Sequence, residues 1–511
     1  MSLFAIQDLG IAGAVEHFSL SLNASDTVVL LGEAGCGKEA VMRLLAGLPT
    51  DVTSGTFQAG DGDAAPAAKP LIATAYLPSA VSEPLSPHVS ALSQLIRIVA
   101  RKLDVPKSEA KEAFARVLSR LEGAPPLSDL EPIARDLPRE TLAWGLFVCA
   151  FAQAPKLLLA DHALTGLAPT QARLLVRALL AEQRRQGFTM LYAAMNTDVA
   201  GWLGARVMVM RHGKVVEEGP IAALEANQSH AYSQTFFKAM GANVQAATRA
   251  TGRGQPVIQA YDVRTGRAGE IKPGDGLTFE LRRGASLALL GEEGSGRRAL
   301  VRVLLGLEPP RSGRVVLDAV DVGILAEKML LRLRRRVAVI AGADDVLDPR
   351  MTLWDTVSEP LRAHLKLPRD LVATYRDAAL KRVGLASVPG DRAVAVLSAF
   401  DKRRLQVARA IVSAPLLAVI DEPLRGLDAF AQSVMRDLLK NFRSQEGPAF
   451  LVVTSDFAVA QALCEDALVV ARGKVIERGA ISDLVKAPKE PQTKALIDAS
   501  LGRLPSDAPR V

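Results

Sequence analysis

The chain has 511 residues, enough for two or more domains with separate cores, and its 49% hydrophobic and 23% charged residues describe a globular rather than a disordered protein. A formal net charge of +7 raises nucleic acid or an anionic surface as partners. No long Lys/Arg block with interleaved aromatics occurs, aromatics are 5% of the chain, and the reading kept is a solvated basic surface with no nucleic-acid partner.

The start, Met1 to Asp8, lacks the basic head and long apolar core of a secretory signal. An apolar run, Val28 to Leu31, then reads as a strand feeding the turn Gly32-Glu33-Ala34-Gly35-Cys36-Gly37-Lys38-Glu39-Ala40, and Ala40 to Leu48 predicts a helix. Strand, glycine-rich loop and helix form the setting of a phosphate-binding P-loop. Backbone N–H groups converge on phosphate oxygens, the helix N-terminus adds positive potential, and Lys38 supplies a point charge. Gly60 to Lys69 is of low complexity and predicts a surface loop. The longest candidate for a membrane span, Leu142 to Leu159, is broken by Gln153, Pro155 and Lys156, short of the roughly 18–20 apolar residues required. Gly241 to Val257 reads as a linker. Beyond it, Ala326 to Arg336 and Asp370 to Val383 predict helices and Val337 to Ile340 a strand. Cys36, Cys149, Cys464 and the six histidines fit no metal or disulfide spacing, which predicts a reducing compartment.

The chain repeats itself. Gly32 to Gly37 returns as Gly291-Glu292-Glu293-Gly294-Ser295-Gly296, followed by Arg297-Arg298-Ala299. Leu157 to Asp161 returns as Leu417 to Asp421, and Gly213 to Gly219 as Gly473 to Gly479. The three offsets are 259, 260 and 260 residues, which is duplication of a whole domain and not a short solenoid repeat. Short apolar strands alternating with amphipathic helical stretches place each copy in the α/β class with a largely parallel sheet.

These spacings carry a resemblance. Leu397-Ser398-Ala399-Phe400-Asp401 and the stretch to Ala410 resemble the LSGGQ signature and following helix of ABC-type ATPases. Leu416 to Pro423 resembles their Walker B strand, and Arg425-Gly426-Leu427-Asp428 their D-loop. Arg334 to Val337, Leu347 to Thr352 and Glu359-Pro360-Leu361 are similar to the oligopeptide/dipeptide branch, particularly its fused two-ATPase proteins. His230 to Gln234 and Pro491 to Leu496 resemble the segments that close such domains. The resemblance implies two tandem P-loop NTPase domains, 1–243 and 257–511 joined by a linker at 244–256. Each has a largely parallel core sheet, an antiparallel β subdomain and a helical subdomain. It also implies ATP and Mg²⁺ as cofactors and a cytoplasmic protein peripheral on the inner face of the membrane. Its partners would be integral-membrane permease subunits served by a periplasmic solute-binding protein. The two domains of such proteins pair head to tail, each ATP lying between one P-loop and the other signature.

Carried onto this sequence, the catalytic set is incomplete in both sites. The first keeps Gly32, Gly35, Gly37 and Lys38, but Glu39 and Ala40 stand where Ser/Thr and Thr belong. Asp161 keeps the metal-orienting acid, while His162 replaces the catalytic Glu, either as a base or as a tolerated substitution. The second keeps Asp421 and Glu422, but Arg297 replaces the Lys and Arg298 the Ser/Thr, and neither is a conservative change. The signature of the first copy has become Leu137-Pro138-Arg139-Glu140-Thr141, where Pro138 lacks an N–H and Arg139 and Glu140 add bulk. No Gln occurs between Ile72 and Ser90 or between Val337 and Leu353, and the switch histidine aligns with Met195 and Ser455. The D-loop Asp is Ala168 in the first copy and Asp428 in the second. Three readings follow: an importer subunit that binds nucleotide and hydrolyses it weakly, a pseudo-ATPase scaffold or regulator, and a soluble protein resembling the ABC-F translation factors. Against the last, Gly241 to Val257 is short and His162 is not Glu.

Overall fold

The computed structural model describes residues 2–59, 65–66, 73–78, 85–241, 254–264, 276–325, 327–342, 346–443 and 447–501. The chain divides into two compact units, built mainly on Met1–Gly241 and on Ala242–Leu427 with Ala431–Gly502. Both are α/β.

In the first unit a six-stranded sheet runs Thr74–Leu77, Leu157–Asp161, Thr189–Ala194, Thr27–Leu31, Arg206–Arg211, Lys214–Pro220. All neighbours are parallel except the last pair, closed as a hairpin. The central strands are continuous apolar runs because the sheet is covered on both faces; Val28, Val29, Leu30 and Leu31 are each 0% exposed. A separate antiparallel sheet joins Val15–Asn23, Ser2–Ile11, Val52–Ala59 and Ala65–Pro66. In Val15–Asn23, Phe18, Leu20 and Leu22 point inward while His17, Ser19 and Ser21 face solvent, the period-two pattern of a half-buried strand. Helices Ala91–Leu103, Lys107–Arg120 and Arg139–Ala152 pack around Leu95, Phe114, Trp144 and Phe147.

The second unit repeats this plan. Its six-stranded sheet runs Val337–Ala341, Leu417–Asp421, Ala449–Thr454, Ser286–Leu290, Asp466–Ala471, Lys474–Ala480, and its antiparallel sheet Leu277–Arg282, Pro256–Arg264, Ser312–Leu317, Val320–Asp321. The helical part comprises Leu353–Pro360, Arg369–Arg382 and Ala399–Ser413.

Several expected boundaries shift. The helix expected over Ala40 to Leu48 is Lys38–Leu45. Gly37, at φ 107°, makes the sharp entry that lets the helix begin at Lys38. Its end is a Schellman motif: Gly47 N–H donates to Leu44 O at 2.9 Å and Leu48 N–H to Arg43 O at 3.0 Å. The helix expected over Ala326 to Arg336 is Glu327–Arg334, and that over Asp370 to Val383 is Arg369–Arg382. Within the loop expected at Gly60 to Lys69, Ala65–Pro66 is a short strand paired with Thr56 and Phe57; the rest of that stretch lies outside the described residues. Most of the expected linker, up to residue 253, also lies outside them, and Pro256 opens the strand Pro256–Arg264. Among the described residues no helix is long and apolar enough to cross a membrane. Leu142 to Leu159 is divided between a helix ending at Ala152 and a strand beginning at Leu157.

Candidate functional site

In the first unit the buried strand Thr27–Leu31 delivers the chain into the loop Gly32 to Gly37. A Cβ on Gly32 would lie 2.5 Å from Met210 O and 2.7 Å from Cys36 Sγ, so the loop passes where only glycine fits. Cys36 N–H donates to Glu33 O at 3.3 Å, and Gly213 N–H to Cys36 O at 2.9 Å, tying the loop to the hairpin turn beyond Arg211. Burial pushes the Cys36 thiol up, with Lys38 pulling the other way. Lys38 is 0% exposed. Its Nζ donates to Glu33 O at 2.6 Å and pairs with Glu39 Oε1 at 2.9 Å. Glu39 Oε1 is in turn 3.3 Å from His162 Nε2, which lies 3.8 Å from Asp161 Oδ1. Tyr76 Oη donates to Asp161 Oδ2 at 2.6 Å.

Lys38, Glu39, His162, Asp161 and Tyr76 therefore form one cluster. Burial raises the Glu39 carboxyl, but the His162 hydrogen bond and the Lys38 charge outweigh it and hold the group at about 2. Glu39 is thus anionic at neutral pH and neutralises the lysine next to it. Burial, with the Asp161 carboxylate accepting its proton, pushes the Tyr76 phenol up, so Tyr76 stays a donor. His162 sits in the left-handed region at φ 52°, its N–H donating to Ala193 O at 3.1 Å.

In the second unit Ser286–Leu290 leads into Gly291 to Gly296. A Cβ on Gly291 would lie 2.3 Å from Val470 O, Gly294 has φ 79° and Gly296 φ 96°, and Gly473 N–H donates to Ser295 O at 2.6 Å. The two loops share one backbone construction. Their side chains differ. Arg297 is 8% exposed and its Nη1 lies 3.3 Å from Glu422 Oε1. Glu422, at φ 47°, also accepts from Thr454 Oγ1 at 2.9 Å, Ser455 N–H at 2.8 Å and Ser455 Oγ at 3.0 Å. Arg298 Nε lies 3.3 Å from Asp421 Oδ2 and its Nη1 3.8 Å from Glu293 Oε1, while Arg425 Nη2 holds Glu293 Oε2 at 3.3 Å. Burial raises the Asp421 carboxyl, with Arg298 pulling it back down. Both acids of this unit are therefore faced by guanidinium groups from its own P-loop helix.

Residues 275–425 match the family model described as ABC transporter. Over 98% of this chain and 96% of the other, the sequence is 28% identical to the peptidoglycan transport ATP-binding protein YejF of Agrobacterium fabrum. It is 26% identical to the uncharacterised ABC transporter ATP-binding protein YejF of Escherichia coli, over 98% of this chain and 99% of that one. With the glutathione import ATP-binding protein GsiA of Shigella flexneri it shares 24% identity over 98% of this chain and 89% of that one. The chain is homologous to ABC transporter ATP-binding proteins over nearly its full length.

The signature-like segments of this ABC homologue begin helices in their respective units. Leu397 precedes Ser398, which caps Ala399–Ser413 by accepting from Asp401 N–H at 3.0 Å; Phe400 lies in the first turn, its ring under the Arg404 guanidinium at 4.5 Å. In the first unit Leu137 precedes Pro138, which takes the N-cap place of Arg139–Ala152 with no side-chain cap, and Glu140 and Thr141 follow inside the first turn. Of the expected loop residues, Ala34, Gly35, Ala40, Glu292 and Ala299 lie in the loops or first helical turns without taking part in the ionic clusters.

Three contributors escape the sequence reading. Tyr76 is an ordinary strand residue by pattern, and nothing in its surroundings marks it. From the signature helix Arg403 donates to the carbonyls of Ala341 and Gly342, and Gln406 Oε1 accepts from Ala341 N–H at 2.7 Å. Arg403 is 2% exposed. A cation and an amide three residues apart on a helix share a face, which is the signal available for that pair.

Neither cluster presents a simple Mg²⁺ site. In the first unit the oxygens suit a hard cation and Asp161 Oδ1 is buried without a hydrogen-bond partner among the described residues, but Glu39 is engaged by Lys38 and His162. In the second unit the Arg298 guanidinium stands where the resemblance expects a hydroxyl ligand and faces the Asp421 carboxylate, and the residues do not fit a divalent ion.

Proposed function

We propose that this chain is the ATP-binding subunit of an importer for a peptide-like solute, binding nucleotide at two altered P-loops and hydrolysing it weakly or not at all. The observation that carries this is common to both units. The cation that should meet phosphate is paired with a carboxylate of its own site, Lys38 with Glu39 and Arg297 with Glu422. The glycine loops that would cradle phosphate remain intact around those pairs. The names of the relatives, peptidoglycan transport and glutathione import, support the importer class and a peptide-like cargo.

On this reading the protein works at the cytoplasmic face of the membrane. It docks on permease subunits fed by a periplasmic solute-binding protein, and its copies pair head to tail, each loop facing the other's signature. Glu422, Asp421, Asp161 and His162 are the residues through which any residual hydrolysis would run. Equilibrium binding of ATP and ADP to the purified chain, with Mg²⁺ and with EDTA, tests the core of the proposal. Binding that loses one site in Lys38→Ala and the other in Arg297→Ala supports it; no binding in any condition removes it. A second reading, a catalytically inactive scaffold, is favoured by the four contacts that immobilise Glu422. It predicts that a tethered permease is stabilised by the chain irrespective of nucleotide.

A further inference from the structure

We propose that the second P-loop, Gly291 to Arg298, takes the polyphosphate of a nucleotide without a divalent cation, Arg298 standing in the place the cation would hold. The inference rests on the nucleotide-binding reading above and specifies the chemistry of one of its two sites.

Four observations support it. A divalent ion in such a loop needs a hydroxyl from the first helical turn and a carboxylate at the end of the neighbouring strand. Here the hydroxyl position is Arg298, which cannot ligate a cation, and its Nε lies 3.3 Å from Asp421 Oδ2. The second acid, Glu422, is turned onto Arg297 and onto the Thr454 and Ser455 donors. The two carboxylates are thereby balanced by two fixed guanidinium charges, and a divalent ion entering beside Arg298 would meet a like charge a few ångströms away. Finally, the loop keeps an unsatisfied donor. Ser295 is 7% exposed, and its hydroxyl lies beside Gly291 with no hydrogen-bond partner among the described residues.

Each guanidinium has five N–H donors, and the contacts to Glu422 and Asp421 leave several in each for phosphate oxygens. Arg298 is 64% exposed at its side chain, so its pairing with Asp421 is a solvent-facing contact that a phosphate can share or replace. The first unit lacks this arrangement: its helix opens on Lys38 and an acid, Glu39, and its first turn carries no guanidinium, Arg43 lying in the last turn. The two sites therefore differ in what they ask of a metal.

The test uses the full chain carrying Lys38→Ala, which confines binding to the second loop, and measures ATP affinity by calorimetry in EDTA and in excess Mg²⁺. The proposal expects ATP in EDTA to bind at least as tightly as in Mg²⁺. It expects Arg298→Ser, checked for an unchanged thermal midpoint, to weaken metal-free binding tenfold or more and make Mg²⁺ tighten it. Tenfold tighter binding in Mg²⁺ by the Lys38→Ala chain would overturn the proposal. So would binding by the wild-type chain that vanishes entirely in Lys38→Ala, since the second loop would then hold nothing. Failure of the wild-type chain to bind ATP in either condition is a different result, and it removes the nucleotide-binding reading itself.

Discussion

Removing Glu422 should leave the second unit with a buried, uncompensated guanidinium. Glu422→Ala deletes the acceptor of Arg297 Nη1 at 3.3 Å together with those of Thr454 Oγ1 and of the Ser455 N–H and hydroxyl. Breaking a buried ion pair from one side costs about 3–5 kcal/mol, mostly the penalty of the charge left behind. Arg297→Ala should cost less, about 1–3 kcal/mol, because Glu422 retains three donors that solvate its charge. The double variant should then fall short of the sum of the singles by about 1–3 kcal/mol, the coupling of two groups in direct contact. Amide exchange in the strand Leu417–Asp421, read by mass spectrometry, reports the opening free energy of this part without requiring whole-chain two-state unfolding. Additivity of the two substitutions to within about 0.5 kcal/mol would refute the pairing and the interpretation of Glu422 as a committed residue.

Three further outcomes follow from the geometry. The Glu39 carboxyl is held at about 2, below the ordinary 4.5, so its contribution to stability is complete above pH 4.5 and lost as pH falls toward 2. Glu39→Gln should accordingly be less stable than wild type at pH 7, with the difference in thermal midpoint closing across that window. Gly37→Ala places a Cβ 2.5 Å from Ala14 O at φ 107°; backbone strain alone costs about 1–3 kcal/mol, and both the unfolding midpoint and ATP affinity should drop together. Glu182, 3% exposed, binds Arg120, Arg185 and Gln186 and fastens helix Pro169–Gln186 to Lys107–Arg120. Because both arginines are partly exposed, Glu182→Ala should cost about 3 kcal/mol, the low end for a buried pair, in denaturant unfolding of the first unit.

The architecture was legible because it is written in local patterns. Continuous apolar runs such as Val28 to Leu31 announce strands covered on both faces, and a near-constant offset between two glycine loops announces a repeated domain. Helix ends were less visible: Gly47 followed by Leu48 and Pro49 is a stop signal, yet the apolar residues around it extend the apparent helix past its Schellman end. The substitutions at Glu39, His162, Arg297 and Arg298 could be read one at a time, but not their pairing. Arg298 meets Asp421 across 123 residues of chain, and Glu39 meets His162 across another 123, through a sheet register that no local pattern encodes. Side chains that read separately as losses form two ion-paired clusters in the fold. Tyr76 belongs to one of them only because its strand lies beside Leu157–Asp161.

Phosphate release from ATP by the full chain, measured beside Glu422→Gln and alongside ATP binding to the same preparations, tests the central claim most directly. The account predicts that ATP binds, and that wild-type turnover is slow and exceeds that of Glu422→Gln by at most about tenfold. Turnover that drops by about 100-fold in Glu422→Gln, the scale expected for removing a working catalytic group, would contradict it.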